Sequence, residues 1–304
     1  MAVLLDGQRI KHHTMKLVVA LPYHNGDHAS ATRLLEWIKE LDPHINHHLL
    51  LVADNAVPVE TKRSIEALGK SVFSTVETVI PQCPAAINGN YHVPAAFMFL
   101  RTSGNIESCY KDWAWLWLEP DCVPLKSGWL DALGKAYEES PKRYLGSTMK
   151  TNGKDGLPVT MFFATAIYPH NAHSELKQFC DGKKAFDVAF SDYVSARGQN
   201  TNLIHHVFGS PTDVPTFKET KSPTDGPNVG TLESLHKEAV LFHRNKDGSL
   251  IDLLRHNKSA PMPPIEHPKM DFTDPPVEPS LILNTPIKRG PGRPPKQPVE
   301  SETI

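Results

Sequence analysis

Residues 16–26 read KLVVALPYHNG, an aliphatic and β-branched run that closes on Pro, Tyr, His and an Asn-Gly pair. This pattern predicts a buried strand that opens into a loop. Apolar side chains then recur at helical spacing over Ala29–Leu41, and the pattern stops at Asp42-Pro43, which predicts an amphipathic helix. Together the two segments predict the first unit of an α/β fold.

The same alternation continues along the chain. A strand, a helix and a strand are predicted at His48–Ala53, Val59–Leu68 and Val72–Val79. This rhythm is typical of parallel α/β proteins, which bind their ligands beyond the carboxyl ends of the strands. We therefore expect Tyr23, His24 and Asp54, which lie where the first two strands end, to share one edge of the sheet.

The remaining elements follow from similar patterns. Helices are predicted at 92–101, Gly128–Tyr137 and Ser174–Phe190, and strands at Trp113–Leu118, Tyr144–Met149, Val159–Tyr168, Leu203–Phe208 and Ala239–His243. The segment Ser210–Asn228 is rich in Pro, Thr, Lys and Asp, which predicts a mobile loop. From Ser259 to Ile304 the composition is too polar to offset ordering entropy. We expect one α/β domain over residues 1–258 and a disordered tail over 259–304.

Composition limits the range of functions. The chain has 304 residues with 32 Lys+Arg against 34 Asp+Glu, a formal charge of -2, so any affinity for nucleic acid must be local. Its four cysteines have neither zinc-site spacing nor the density of a disulfide scaffold, which indicates reduced thiols. The apolar stretch Met15–Tyr23 is too short to span a bilayer. We expect a cytoplasmic protein without a membrane partner; its oligomeric state is open.

Two carboxylates follow the apolar Trp-rich strand, in the order Glu119-Pro120-Asp121. Like charges in a partly desolvated turn repel each other, and a divalent cation removes that conflict. Oxygen ligands of this kind suit Mg²⁺ or Mn²⁺, which bridge carboxylates to the diphosphate of a nucleotide. The alternative interpretation is a solvated turn held away from the core by Pro120 and Pro124.

The run WLWLEPDCVPLKSGWLDAL, residues 115–133, placed after an α/β half, resembles the mid-domain DxD motif of GT-A glycosyltransferases. The resemblance covers about Lys16 to Arg255 and implies a single-domain, Rossmann-like, nucleotide-diphospho-sugar transferase fold. It implies that Asp121 coordinates the metal and that Glu119 contacts ribose or metal-bound water. This motif departs from the usual one because Glu comes first and Pro separates the acids.

The resemblance also implies roles elsewhere in the chain. His243 ends an apolar strand where the family often supplies a third metal ligand, and Lys246 could neutralise the leaving diphosphate. Residues expected to hold the donor are Pro22, Tyr23, His24, Asp54, Asn88, Asn90 and Glu119, with Tyr91 beside them. In inverting members of the family a late Asp or Glu takes the acceptor proton, and the candidates here are Asp187 and Asp192; inversion and retention both stay open. We prefer Asp187 because its apolar neighbours would raise its pKa by desolvation.

The tail contains a basic cluster over residues 288–296, KRGPGRPPK, which is similar to an AT-hook. A narrow Gly-Arg-Pro core suits the A·T minor groove, and flanking cations suit phosphates. The residues expected to contact duplex DNA are Lys288, Arg289, Gly292, Arg293, Pro294 and Lys296. The alternatives are a solubilising tail or a ligand for a Pro-recognising domain.

Combining the two regions gives a hypothesis about the acceptor. The tail would hold the enzyme on DNA, and the domain would transfer a sugar, with UDP-sugar as the expected donor, to a flipped 5-hydroxymethylpyrimidine. The implied relatives are phage DNA-modifying glycosyltransferases. Three alternatives stay open: a GT-A enzyme acting on a polysaccharide, lipid or protein, a DNA-binding protein without catalysis, and a nucleotidyltransferase. The last would normally carry a Gly-rich basic loop, in which PYHNGDH is poor.

Overall fold

A computed structural model of the chain describes residues 15–84, 92–152, 158–207 and 214–257. Within these ranges the strands are β1 (Val18–Tyr23), β2 (Ile45–Ala53), β3 (Phe73–Val79), β4 (Trp115–Trp117), β5 (Cys122–Pro124), β6 (Tyr144–Asn152), β7 (Pro158–Tyr168), β8 (Gly198–Asn200), β9 (Ile204–His206), β10 (Thr216–Phe217), β11 (Val229–Gly230) and β12 (Leu241–His243). The helices are α1 (His28–Leu41), α2 (Val59–Lys70), α3 (His92–Cys109), α4 (Trp129–Glu139), α5 (Ala172–Leu176), α6 (Phe186–Arg197) and α7 (Ser249–Asn257).

The main sheet has the strand order β3-β2-β1-β4-β7-β6-β8. Its first four strands are parallel, with Val18 opposite both His48 and Trp115. Strand β7 runs antiparallel to both β4 and β6, and β8 joins the edge parallel to β6. The predicted α/β fold with a mostly parallel central sheet is therefore confirmed.

Apolar side chains cover both faces of this sheet, as expected for parallel strands enclosed by helices. Successive residues of β1 alternate between the faces: Val19 packs with α1, α2 and α4, whereas Val18 packs with α3 and α6. Helix α1 buries Ala31, Leu34, Leu35 and Ile38, which share one face of the predicted amphipathic helix. No helix among the described residues is long and apolar enough to cross a membrane.

A smaller sheet, in the order β5-β12-β9, lies beside the end of β4. Strand β12 is antiparallel to β5 and parallel to β9. The indole Nε1 of Trp37 on α1 donates a hydrogen bond to the carbonyl oxygen of Pro124, at 2.7 Å, which ties β5 to the first α/β unit. Helix α7 packs Leu250 and Ile251 against Phe242 of β12.

The predicted helix Ser174–Phe190 is wrong. Two helices stand there, α5 and α6, separated by residues 177–185. Gly182 has a φ of 75°, and Lys183 donates its backbone N–H to Asp181 Oδ1 at 2.9 Å, which makes a turn. A Cβ at Gly182 would lie 3.0 Å from Val93, so the position suits glycine for space as well as for backbone angle.

One other expectation changes in detail, and one falls outside the described residues. The predicted loop Ser210–Asn228 contains strand β10, which pairs with β11 and carries the buried Phe217. Residues 210–213 of that loop lie outside the described residues. The tail from residue 258 onward also lies outside them, so the predicted disorder of the tail stays a prediction.

Candidate functional site

The loops that follow β1, β2 and β4 emerge at one edge of the main sheet, because parallel strands end on the same side. His24 follows β1, Asp54 follows β2, and Glu119 comes two residues after β4. The sequence therefore places polar side chains at the edge of the sheet where open α/β folds bind their ligands.

Glu119 and Asp121 converge on His243. The imidazole Nε2 lies 2.8 Å from Glu119 Oε2 and 3.2 Å from Asp121 Oδ1. Strand pairing brings His243 to the acidic turn, because His243 of β12 is directly opposite Cys122 of β5. The backbone N–H of Asn245 donates to the carbonyl oxygen of Asp121 at 2.8 Å, which holds the acidic turn against the end of β12.

The charges of this cluster are strongly coupled. Burial lowers the pKa of His243, but the charges of Glu119 and Asp121 outweigh it and raise that pKa to about 10. Burial raises the pKa of Asp121, but the charges of His243 and Lys246 hold it below its usual value. The exposed Lys246 therefore lies close enough to the cluster to act on it. A cation, here the imidazolium, is what allows the two carboxylates to share this site.

Thr165 and Cys122 support the acidic turn. The Thr165 hydroxyl donates to Glu119 Oε2 at 3.0 Å, and Cys122 Sγ lies 3.6 Å from the same hydroxyl. Burial raises the pKa of the Cys122 thiol well above its usual value, and the charges of Asp121 and Glu119 raise it further. Burial and these charges therefore favour the protonated form of the Cys122 thiol.

The donor atoms fit a hard or borderline divalent cation. Ligand atoms of Asp121, Cys122 and His243 lie within 4.8 Å of one another, and Glu119 Oε2 reaches His243 at 2.8 Å. Two carboxylates and one imidazole suit Mn²⁺ or Mg²⁺ coordinated by oxygen and nitrogen, whereas the sulfur of Cys122 is a soft ligand that these ions do not prefer.

Asp187 lies in the first turn of α6 and faces the same cluster. Burial and the charge of Glu119 raise its pKa to about 6, the direction that the sequence predicts. Its Oδ1 accepts a hydrogen bond from the backbone N–H of Val188 at 2.9 Å. Asp192 is exposed on the same helix, and five residues of helix turn it about 140° away from Asp187. The helix therefore cannot present both carboxylates to one site.

The residues expected to hold the donor lie in different environments. Pro22 and Tyr23 are buried in β1, and burial and the charge of Glu66 raise the pKa of Tyr23 to about 12. His24 is exposed, with 58% of its side-chain surface accessible. Asp54 Oδ1 accepts the backbone N–H of Ala56 at 2.7 Å. His24 and Asp54 therefore offer accessible polar groups at this edge of the sheet, whereas the Tyr23 ring packs in the core.

Other predicted residues lie outside the described residues. These are Asn88, Asn90 and Tyr91, together with Lys288, Arg289, Gly292, Arg293, Pro294 and Lys296 of the tail.

Sequence reasoning missed Asp27. Its Oδ1 accepts the backbone N–H of His24 at 2.6 Å, and its Oδ2 lies 3.3 Å from His24 Nε2. Burial raises the pKa of Asp27, and the charge of Asp121 raises it further, so the loop after β1 lies near the acidic turn. The sequence signal for Asp27 was its position three residues after His24, in the loop that follows the first strand.

His206 was missed as well. Its Nδ1 lies 2.7 Å from His243 Nδ1, and its ring stacks on Phe163 with centroids 3.5 Å apart. Burial, followed by the charges of His243 and Arg244, lowers the pKa of His206 to about 2. His206 is therefore a neutral imidazole beside the cluster.

Comparisons with known proteins give matches to structures alone. No family model matches the chain, and no curated protein matches it either. The chain is similar to WbbM, a bifunctional glycosyltransferase, at 11% identity and a TM-score of 0.47, covering 80% of this chain and 46% of WbbM. It thus spans less than half of WbbM.

Two other similar structures are matched over nearly their whole length. The galactosyltransferase LgtC, in complex with donor and acceptor sugar analogues, matches at 12% identity and a TM-score of 0.47, over 82% of this chain and 98% of LgtC. Mouse xyloside xylosyltransferase 1 matches at 9% identity and a TM-score of 0.46, over 76% of this chain and 98% of that enzyme. At such identities and scores, function must be inferred from the residues of this chain.

Proposed function

We propose that this protein is a metal-dependent glycosyltransferase of the GT-A type, which takes a sugar from a nucleotide-sugar, with a UDP-sugar as the expected donor. The observation that carries the proposal is the convergence of Glu119, Asp121 and His243 beyond the carboxyl ends of parallel strands. Ligands of open α/β sheets bind at that edge.

Glu119, Asp121 and His243 would hold Mn²⁺ or Mg²⁺. When bound, such an ion stabilises the negative charge of a departing diphosphate. Lys246 is exposed beside the acidic turn, and its charge acts on Asp121, so its ammonium group can meet the same diphosphate. This arrangement would bind a nucleoside diphosphate through the charges of the cation and of Lys246.

Asp187 would accept the proton of the acceptor hydroxyl. With its pKa raised to about 6, most of the carboxylate is deprotonated at neutral pH and is a stronger base than an ordinary aspartate. The proton moves from the hydroxyl oxygen to a carboxylate oxygen of Asp187 as that hydroxyl attacks the sugar. Asp192 remains the second candidate from the sequence, but its exposure disfavours it.

The donor nucleoside would lie along the loops after β1 and β2. His24 and Asp54 offer polar groups there, and Asp54 can accept hydrogen bonds from ribose hydroxyls. Asn88 and Asn90 stay candidates on the basis of the sequence. Pro22 and Tyr23 would contribute by shaping β1 beneath these loops, because both are buried.

The acceptor that we propose is a hydroxymethylated pyrimidine in duplex DNA. The support is the KRGPGRPPK sequence at residues 288–296, which suits the A·T minor groove and would raise the local concentration of acceptor. A polysaccharide, lipid or protein acceptor would use the same site and is the alternative.

Mass spectrometry of nucleosides tests both parts. The full chain is incubated with a UDP-sugar, Mn²⁺ and duplexes that contain cytosine, hydroxymethylcytosine or hydroxymethyluracil. The proposal predicts the mass of one sugar added to one hydroxymethylated nucleoside and none added to cytosine. Release of UDP without modification of DNA would contradict the DNA acceptor and leave the transferase class in place. Absence of both products would contradict the class.

A further inference from the structure

The smaller sheet places three side chains in one row across its strands. His243 of β12 has Cys122 of β5 as its partner on one side and His206 of β9 on the other. Directly paired residues project from the same face of a sheet. His206 and His243 therefore face each other, with ring centroids 4.6 Å apart.

The two ring nitrogens of His243 have different neighbours. Nε2 faces Glu119 and Asp121 at 2.8 and 3.2 Å, whereas Nδ1 faces His206 Nδ1 at 2.7 Å. A neutral imidazole binds a metal through the nitrogen that carries no hydrogen. For Nε2 to bind a cation with the two carboxylates, the hydrogen of His243 must be on Nδ1, where it needs an acceptor.

His206 Nδ1 is in position to be that acceptor, and the His206 ring is itself held. It stacks on Phe163 of β7 with an interplanar angle of 18° and centroids 3.5 Å apart. Phe163 is buried, so the stack anchors the small sheet to the main sheet at this point. The neighbouring His205 faces the other way, towards Phe242, and its Nδ1 accepts the backbone N–H of His236 at 2.9 Å.

We propose that His206 is a positioning residue for the metal site: by accepting a hydrogen bond from His243 Nδ1–H, it fixes the tautomer and orientation of His243 and leaves Nε2 free for the cation. This inference rests on the proposed function, because it assumes that Glu119, Asp121 and His243 hold a divalent cation. His206 does not touch the reactants; it acts through His243.

Two substitutions separate the hydrogen bond from the ring stack. His206→Phe keeps an aromatic ring against Phe163 but removes the acceptor. His206→Asn loses the ring but can place its amide oxygen at the position of Nδ1. His205→Phe is the matched control, since it makes the same change on the same strand but on the opposite face.

Mn²⁺ binding to the full chain gives a readout that needs no turnover. The concentration of free Mn²⁺ is measured from its electron paramagnetic resonance signal. We expect His206→Phe to raise the dissociation constant about 10- to 100-fold, whereas His206→Asn and His205→Phe change it by no more than about threefold. Equal affinity of His206→Phe and the wild type would overturn the role of His206 while the metal site stands. A wild type that binds no Mn²⁺ would overturn the metal site itself, and the inference with it.

A second measurement avoids substitution of His206. In isotope-labelled protein loaded with Mg²⁺, which is diamagnetic, the ring ¹⁵N resonances of His243 can be identified by their loss in His243→Gln. We expect a hydrogen on Nδ1 and none on Nε2. A hydrogen on Nε2 in the loaded protein would overturn the proposal.

Discussion

The imidazole Nε2 of His243 lies 2.8 Å from Glu119 Oε2, although Glu119 lies in the turn after a strand of the main sheet and His243 lies in the smaller sheet. Glu119 follows β4 of the main sheet, and His243 ends β12 of the smaller one. The contact depends on the short β5 strand, which continues the chain from the acidic turn into the smaller sheet. The candidate metal site thus lies at the junction of the two sheets.

Asp121→Asn removes one carboxylate charge with almost no change of shape. We expect transfer to fall by about 100-fold or more, because the ligand charge that holds the cation contributes several kcal/mol to stabilising the departing diphosphate. Initial rates at saturating donor and Mn²⁺ measure this. Asp112→Asn is the control, because Asp112 is exposed and has a φ of 66°, which Asn tolerates. Full activity of Asp121→Asn would remove Asp121 from the site.

Asp187 predicts the acidic limb of the pH profile. Its pKa is raised to about 6, so the basic form is lost as pH falls through 6, and activity should fall about tenfold for each further unit of pH. The pH dependence of kcat between pH 5 and 8 measures this, and Asp187→Asn should be nearly inactive throughout. Asp192→Asn, on the same helix, should keep both rate and profile. A loss of activity in Asp192→Asn alone would assign the base to Asp192.

Phe99 joins helix α3 to the main sheet. Its ring contacts five aromatic rings, the nearest being Phe186 at 4.5 Å between centroids, and it is fully buried. Phe99→Ala should lower the free energy of unfolding by about 3–5 kcal/mol, because a large cavity forms in a packed core. Urea denaturation measures this. Val59→Ala, where Val59 is 58% exposed, should change stability by less than about 0.5 kcal/mol. Similar losses in both variants would contradict the packing described.

The tail can be tested without turnover. Replacing Arg289 and Arg293 with Ala should weaken binding to A·T-rich duplex. It should also lower the slope of log K against log[salt] by the equivalent of about two phosphate contacts. Fluorescence anisotropy over a range of salt concentrations measures both quantities. Replacement of Lys177 and Lys184, two exposed cations of the domain, with Ala is the matched control. Equal affinity of the Arg289/Arg293 variant and the wild type would exclude minor-groove binding by this segment.

The sequence predicts the α/β class well, because local signals carry it. The buried run of β1 and the spacing of Leu34 and Ile38 in α1 need no knowledge of distant contacts. The acidic turn was equally visible, since Glu119 and Asp121 are charged residues directly after an apolar strand.

One missed feature depends on pairing between distant segments. His206 meets His243 only through the register of β9 with β12, and a His-His pair in the sequence does not reveal which ring faces the site.

Helix α7 was missed because it is short and precedes a polar tail, although Leu250, Ile251 and Leu253 have helical spacing. The break between α5 and α6 was marked by Asp181-Gly182, a turn signal that the helical prediction overrode.

The most direct test of the central claim is UDP release from a UDP-sugar, measured for the full chain with Mn²⁺, with chelator, and for Asp121→Asn with Mn²⁺, in the presence of hydroxymethylated duplex. The metal site that we propose at Glu119, Asp121 and His243 predicts release by the wild type with Mn²⁺ and little release in the other two reactions. Equal release in all three reactions would contradict metal-dependent chemistry at this site.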